Sequence, residues 1–435
     1  FLPVSRHELR VDPVTPWGSP GCRCSLGEMP IERPMLILVS DIHLTDALHG
    51  TALSKEATFQ RFWTRIQASR GQRPAILCFC GDLFDIVRSP HWFDGPERPY
   101  HEDSRAQQKV VEEIVDTILE REKGFFDAIR GRVEAGELDI RYILGNHDRL
   151  LRNAPAARRA IWRAMTGRDE RIHFPNELEF PDHGVLAYHG HVSDSINCSP
   201  DGDATIGDAI GSELIVRFPR EVRKVVDIEH YPELDDIDDV RPIYAVPAWV
   251  RRQGAIKREL LRPIGKTWAE LVEDFFGKAF VKEWMRDKRS FGLDLGKRLR
   301  LLLELSTKRV MAKAHDQRLT RVYKLLQHNF DGHMSKHGAT ELLRRRHMRY
   351  VVNGHSHFAS MVPLGHVRGK PAVYFNTGTW RTVHQIGHDL GGRPSFLPYD
   401  AMTYLVFFPT GDSLGRDYEW WTGAMVPLQE AQDEH

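Results

Sequence analysis

Five short apolar segments, each followed directly by residues of the kind that bind metal ions, constrain this chain more than any other feature. The clearest is residues 139–144, which precede Gly145, Asn146, His147 and Asp148. An apolar run of this length is typical of a buried strand. A glycine followed by an amide, an imidazole and a carboxylate is suited to aiming polar groups into a cleft at the carboxyl end of a sheet.

The same order of strand and polar residues occurs four more times, at residues 35–43, 75–85, 185–189 and 350–357. The candidate ligands that follow these strands are Asp41, His43, Asp82, His189, His355 and His357. Alternate residues leaving a strand point the same way, so both side chains of an Asp-x-His or His-x-His pair can reach one region. We therefore expect the five strand ends to gather these side chains around one cleft.

Together with Asn146, these residues form a set of seven oxygen and imidazole ligands without a thiolate. Such ligands suit divalent cations, with manganese as the first expectation and iron, zinc, cobalt or nickel as alternatives. Seven ligands are too many for one ion and are about right for two. A carboxylate such as Asp82 can bridge two cations about 3.5–4 Å apart, and a pair of ions of this kind activates water for in-line displacement at phosphorus.

The bulk composition limits function only weakly. The chain has 435 residues, enough for one large domain with insertions or for two domains. Its formal net charge is zero, so total charge points neither to a nucleic acid nor to a membrane. No stretch approaches the roughly 18 consecutive apolar residues of a membrane span. Five cysteines, an odd number, and the absence of a signal-peptide pattern predict a reducing, cytoplasmic location.

The order of predicted elements divides the chain into three parts. Residues 1–34 are expected to be an irregular leader, and strand–helix alternation over residues 35–194 indicates an α/β core of helices packed on sheet. No further strand-and-ligand unit is found over residues 195–348, which we interpret as a long helical insertion that caps the cleft. The core then resumes over residues 349–435.

Two charged segments within the insertion leave alternatives open. Residues 227–239 are acidic and could pair with a basic helix or form a solvated linker. The predicted helix over residues 295–326 is rich in lysine and arginine. Its basic residues form either an ordinary solvated helix face or a surface that brings a nucleic acid to the cleft. In the second case, binding of the nucleic acid would weaken steeply with salt.

The motifs in this order resemble those of the calcineurin-like metallophosphoesterase superfamily. They are Asp41-x-His43, Gly81-Asp82-x-x-Asp85, Gly145-Asn146-His147-Asp148, His189 and Gly354-His355-x-His357. The resemblance covers about residues 35–194 and 349–408. It implies a four-layer α-β-β-α sandwich with two divalent metal ions at the strand ends.

The resemblance also implies a role for each motif residue. One ion would be held by Asp41, His43, Asp82 and His357, and the other by Asp82, Asn146, His189 and His355. His147 would be the general acid that protonates the leaving oxygen, and Asp148 would orient His147. A hydroxide that bridges the metals would attack phosphorus.

The resemblance implies a phosphoester substrate, and a phosphodiester or pyrophosphate bond is the leading expectation. Arg88 and Arg149 adjoin the motifs and are predicted to contact the phosphate. The segment around Asp85 is similar both to the nuclease branch, which usually carries histidine there, and to the bacterial UDP-diacylglucosamine pyrophosphatase branch, which has a helical cap. The alternatives are a nuclease or the catalytic subunit of a nucleic-acid-processing complex, a phosphomonoesterase, and a metal-free scaffold. The oligomeric state is left open.

Overall fold

The computed structural model describes most of the chain. The described residues are 33–47, 54–199, 203–226, 232–241, 245–256, 260–287, 296, 299–300, 303–304, 307, 333–342, 344–345, 347–388, 394–409, 412 and 414–425. The predicted leader, residues 1–34, lies outside the described residues except for Arg33 and Pro34. Most of the predicted basic helix over residues 295–326 and the first part of the acidic segment also lie outside them.

Twelve strands lie within the described residues. They are β1 (Met35–Val39), β2 (Ala75–Cys80), β3 (Leu138–Ile143), β4 (Glu177–Phe180), β5 (Val185–Tyr188), β6 (Val240–Arg241), β7 (Tyr350–Asn353), β8 (Ala359–Val367), β9 (Lys370–Thr377), β10 (Thr382–His388), β11 (Pro394–Phe407) and β12 (Tyr418–Met425). The five strands predicted to deliver ligands are confirmed as β1, β2, β3, β5 and β7.

The strands form two mixed sheets. The larger has the order β3-β2-β1-β11-β10-β6, with β12 paired to β11, and its strands β1, β2 and β3 are parallel. The smaller has the order β4-β5-β7-β9-β8, with β5, β7 and β9 parallel. Because parallel strands end on the same side of a sheet, residues that follow β1, β2 and β3 meet at one edge, and those that follow β5 and β7 meet at another.

Helices accompany both sheets. They are α1 (Lys55–Arg70), α2 (Arg105–Arg121), α3 (Lys123–Glu134), α4 (Pro155–Thr166), α5 (Ile206–Ile210), α6 (Arg217–Arg223), α7 (Val246–Ile256), α8 (Leu261–Gly277) and α9 (Ala279–Asp287). A π-helical segment, Gly211–Val216, joins α5 to α6, and residues 333–342 are also helical. Within the described residues, no helix has the length and apolar character needed to cross a membrane.

The packing of α1 shows how the sequence selects these elements. Ser54 caps the helix by accepting a hydrogen bond from the Ala57 backbone N–H. Phe59, Phe62 and Trp63 are then buried on one face, as their helical spacing predicts. They belong to a core that covers one face of the larger sheet together with α2, α3 and α4.

A second core lies between the two sheets. Leu36 and Cys78 of the larger sheet share it with Val185, Val352 and Phe375 of the smaller. Side chains of β5, β7 and β9 on the opposite face of the smaller sheet pack with the helical residues 333–342. The structure is thus a mixed α/β fold with helices on its sheets, as the sequence predicts.

The inserted segment is built around a hydrophobic core that also takes in Tyr100 and Ile386 from outside the segment. Ile206, Phe218, Trp249, Trp268 and Phe275 are buried together there, on α5 to α8. The insertion is not purely helical, however, because β6 adds a short strand to the edge of the larger sheet beside β10. This strand was not predicted, since two residues are too few to give a periodic pattern.

Candidate metal centre

The predicted ligands from the two ends of the chain meet in a first group. Asp41 and His43 follow β1, and His357 follows β7. The Nε2 atom of His357 lies 3.3 Å from Asp41 Oδ1 and 3.0 Å from His43 Nε2. All three side chains are buried, and their ligand atoms lie within 4.8 Å of one another. This group could hold a metal ion.

A second group contains Asp82, His189 and His355, with ligand atoms also within 4.8 Å of one another. The Nε2 atom of His189 lies 3.0 Å from Asp82 Oδ2 and 3.1 Å from Asn146 Oδ1. His189 Nδ1 donates to the Cys80 carbonyl oxygen, which fixes the ring so that Nε2 faces the other candidate ligands. Asn146, also a predicted ligand, therefore lies beside this group.

Asp82 is close to both groups. Its Oδ2 atom lies 3.8 Å from His43 Nε2 in the first group and 3.0 Å from His189 Nε2 in the second. Its Oδ1 atom accepts a hydrogen bond from the His147 backbone N–H at 2.9 Å. One carboxylate thus faces imidazoles delivered by β1 and by β5.

The backbone at the ligands is strained. Among the described residues, five candidate ligands have positive φ between 51° and 71°. They are Asp41, His43, Asp82, His355 and His357. Non-glycine residues rarely adopt this left-handed conformation, which costs on the order of 1–3 kcal/mol each and is concentrated at functional sites. Strain that is concentrated at the candidate ligands is typical of a functional site.

Two motif glycines allow the strand ends to approach each other closely. A Cβ atom at Gly145 would collide with the Asp82 carboxylate, and one at Gly354 would collide with Asp41 and Ser40. Glycine is therefore required at both positions by the ligand that lies against it.

The electrostatics favour ionised carboxylates. Burial opposes ionisation of Asp82, but the charges of His189 and His147 outweigh burial and hold its pKa well below the usual range. Burial likewise lowers the pKa of His189, but the charges of Asp82 and Asp41 outweigh it and raise that pKa to about 10. The buried carboxylates are thus stabilised by positive charge, a role that a bound cation also fills.

The predicted role of Asp148 is corrected by the structure. The Asp148 carboxylate accepts hydrogen bonds from the Gly145 and Leu83 backbone N–H groups and from the Tyr142 hydroxyl, at 2.6, 3.1 and 2.7 Å. It closes the loop that carries His147 but does not orient the imidazole.

Asp85 is the residue that orients His147. Its Oδ1 atom lies 2.6 Å from His147 Nδ1, and its Oδ2 atom lies 3.2 Å from His43 Nδ1. Burial raises the pKa of Asp85, but the charge of His147 and the hydrogen bonds from both imidazoles outweigh burial, and the pKa falls well below the usual range. Asp85 was part of the motif but was not among the predicted site residues.

The two arginines predicted to contact phosphate have different surroundings in the structure. Arg88 lines the cavity in front of Asp82, and within the described part of the chain its buried Nε atom has no hydrogen-bond partner. Arg149 instead pairs with Asp208 at 2.8 Å and donates to the Pro99 carbonyl oxygen at 2.7 Å. Arg149 therefore ties its loop to the insertion, and its assignment to the phosphate is wrong in this structure.

The acidic segment supplies contacts that neither sequence interpretation foresaw. Asp238 pairs with Arg88 and Arg381, and Asp239 pairs with Arg381 at 2.7 Å. Arg381 also lies 3.4 Å from Asp85. Asp238 and Asp239 thus belong to a buried charge network beside the site, whereas Asp227 and Glu229 lie outside the described residues.

Arg241, at the end of β6, was also missed. Its Nε and Nη2 atoms lie 3.1 and 2.8 Å from His357 Nδ1. The residue is only 5% exposed, a state that arginine rarely reaches unless it is paired. No sequence signal could have found it, because nothing in the insertion repeats the strand-and-ligand pattern.

A cavity of about 180 Å³ opens in front of the site. One side is formed by Asp82, Asn146, His147, His355 and His357. The other side is formed by the insertion. The cavity gives a bound molecule direct access to the candidate ligands.

A scan against models of protein families finds no match, and a search of curated proteins also finds none. The geometry of the site therefore carries the functional argument.

The arrangement defines what the site can do chemically. Among the described residues, three overlapping groups of carboxylate and imidazole ligands could hold a metal ion, and none of them contains a thiolate. The third group is His43, Asp82 and His147, which shares a residue with each of the other two. Oxygen and nitrogen ligands of this kind favour divalent cations of intermediate hardness. His147 and Arg88 face the same cavity and could act on a bound molecule.

Proposed function

We propose that this protein is a metal-dependent phosphoester hydrolase that cleaves phosphodiester or pyrophosphate bonds. The position of Asp82 carries the proposal. Its carboxylate faces both ligand groups, at 3.8 Å from His43 and 3.0 Å from His189. A carboxylate shared between two such groups suits a bridging ligand of two cations, the arrangement used for displacement at phosphorus.

The packing of the two sheets supports assignment to the calcineurin-like metallophosphoesterase superfamily. A core lies between the sheets, helices α1 to α4 pack on the larger sheet, and helical residues 333–342 pack against the smaller. We interpret this as a four-layer α-β-β-α sandwich with residues 195–348 inserted as a cap.

The ligand sets follow from the two groups. Asp41, His43, Asp82 and His357 would hold one ion, and Asp82, Asn146, His189 and His355 would hold the other. The donor set fits two such ions, because oxygen and imidazole ligands converge and the strained backbone is already in place. When bound, divalent ions supply positive charge that lowers the pKa of water and stabilises charge on phosphate.

His147 is proposed to protonate the leaving oxygen. Asp85 holds its Nδ1 atom, so that its Nε2 atom is free to donate to a substrate in the cavity. Burial and the charge of Arg88 lower the pKa of His147 despite its carboxylate neighbours. A lowered pKa makes the protonated imidazole a stronger acid, which helps it to release a proton to an oxygen.

Arg88 is proposed to bind a phosphate oxygen. Asp238 holds one end of its guanidinium, and the buried Nε atom remains without a partner in the described part of the chain. An unpaired buried N–H is costly, so a phosphate oxygen that accepts from it would bind favourably.

Paired chromogenic substrates test the proposal. We expect bis(p-nitrophenyl) phosphate to be hydrolysed after Mn²⁺ is added to EDTA-treated protein, and p-nitrophenyl phosphate to be hydrolysed more slowly. Metal content measured on the same samples separates failure to bind metal from failure to react. Two bound ions without turnover of either ester would contradict the proposal.

A further inference from the structure

The larger sheet has an open edge at β12 (Tyr418–Met425). Within the described residues, this strand pairs with β11 and with no second strand. Its residues from Trp421 to Met425 are all exposed, and the two large apolar residues among them, Trp421 and Met425, are 45% and 44% exposed. A strand of this kind presents a row of backbone N–H and C=O groups with which another strand can pair.

The other edges of the two sheets carry features that prevent such pairing. β8 contains Pro363 next to a bulge, and β6 has only two residues. β3 carries the ion pair between Asp139 and Arg141, and β4 carries Glu177 and Glu179. Proline, bulges, short length and charged side chains are the means by which proteins keep edge strands from associating.

β12 has none of these features. Its eight residues include no proline, lysine or arginine, and Glu419 is the only charged residue among them. It pairs with β11 residue by residue from Tyr418 to Met425, without a bulge. Its tyrosine, two tryptophans and threonine are residues that favour strands. We therefore expect this edge to be covered by another strand.

The α1 side of this edge carries opposite charges at its two ends. The Trp421 indole N–H donates to the Glu419 carboxylate at 3.2 Å, and the Arg65 guanidinium of α1 lies 5.7 Å from the Trp421 ring centroid. At the far end, Arg61 Nη1 of α1 lies 3.7 Å from the sulfur of Met425. An antiparallel copy of the same edge would bring each acidic end to a basic end.

We propose that β12 pairs with β12 of a second copy of this chain, so that the two larger sheets join into one. The strands would be antiparallel about a two-fold axis that passes through Thr422, and residues 419–425 of each copy would pair. A two-fold axis makes the contact self-complementary and closes the assembly at a dimer.

Two cross-strand pairs favour this register. Thr422 lies opposite Thr422 of the partner subunit, and threonine pairs are favourable across antiparallel strands. Trp421 lies opposite Gly423 of the partner subunit, so that the indole covers the strand where glycine leaves it bare. A Cβ atom at Gly423 would lie 3.7 Å from the Met402 carbonyl oxygen, an ordinary contact, so the monomer itself does not require glycine there.

The charges agree with the same register. Glu419 lies opposite Met425 of the partner subunit, and Arg61 of the partner subunit lies beside that methionine. Opposite charges thus meet at both ends of the contact. A register moved by two residues would lose these pairs, and an offset of one residue would place side chains of opposite faces against each other.

Sedimentation velocity and hydrogen exchange of the 435-residue chain test the proposal. We expect a species of about twice the 50.1 kDa of the chain, which dissociates on dilution. The outward-facing amides of residues 419–425 should exchange more slowly at high protein concentration than at low, whereas those of β3, at the other end of the same sheet, should not change. A monomer at all micromolar concentrations would overturn the proposal, as would a dimer without concentration-dependent protection in β12.

An exchange of charges tests the register. Glu419→Arg would bring two arginines together at each end of the contact, and Arg61→Glu would bring two glutamates together. Each change should therefore raise the Kd of the dimer by about tenfold. The double variant has opposite charges again and should return the Kd close to the wild-type value.

Asp139→Arg is the matched control, because it reverses an exposed acidic residue on β3 and should leave the Kd unchanged. Single variants that keep the wild-type Kd, or a double variant that stays as weak as the single ones, would overturn the pairing of β12 with its copy in this register.

Discussion

Arg241 donates to the Nδ1 atom of His357, with its Nη2 atom 2.8 Å away and its Nε atom 3.1 Å away. A histidine that ligates a metal normally donates its second ring N–H to an acceptor. Here the neighbour is itself a donor, so Nδ1 must offer a lone pair. If Nε2 is also to offer a lone pair to a cation, Arg241 has to withdraw or the ring has to turn.

Removal of Arg241 should therefore strengthen metal binding. In Arg241→Met the competing donor and its positive charge are lost, while the length of the side chain is kept. We expect Mn²⁺ to bind about tenfold more tightly, comparable with the effects of other residues that contact metal ligands. Calorimetric titration measures this directly, and Arg349→Met, at the surface beside Asp417, is the control. Weaker binding in Arg241→Met would show that the arginine supports the ligand.

Asp82→Asn should abolish most metal binding. Asparagine keeps the shape of the side chain but removes the charge that faces His43 and His189. The bound metal per chain, measured by mass spectrometry after desalting, should fall well below the wild-type value. Asp139→Asn provides an exposed control on β3. Retention of two ions per chain by Asp82→Asn would disprove the bridging assignment.

The sequence predicted the strand ends and most of the candidate ligands, because each strand and its polar residues are adjacent along the chain. Asp41, Asp82 and His189 therefore lie where the pattern places them. The partners of these residues were harder to predict. Arg241 reaches His357 across 116 residues, and Asp85 rather than Asp148 contacts His147. Such pairings depend on how the strands are arranged, which local periodicity does not encode.

His147→Ala should lose activity in a way that depends on the leaving group. Loss of a general acid typically costs roughly 10²–10⁴-fold in rate. A p-nitrophenolate leaves without a proton, so a substrate with that group should lose little, whereas a dialkyl phosphate should lose far more. The metal content should remain at the wild-type value. Equal losses on both substrates would rule out proton donation by His147.

Substitution of Asp148 should mainly lower the stability of the fold, whereas substitution of Asp85 should mainly lower turnover. Asp148→Ala deletes an acceptor of three hydrogen bonds and leaves buried backbone N–H groups unpaired. We expect unfolding in urea to show a loss of roughly 3 kcal/mol or more. Asp85→Asn keeps the size of the side chain but weakens the contact with His147, so we expect its main effect on the turnover of alkyl esters. If instead Asp148→Ala is as stable as wild type and has the leaving-group dependence of His147→Ala, the orienting role belongs to Asp148 after all.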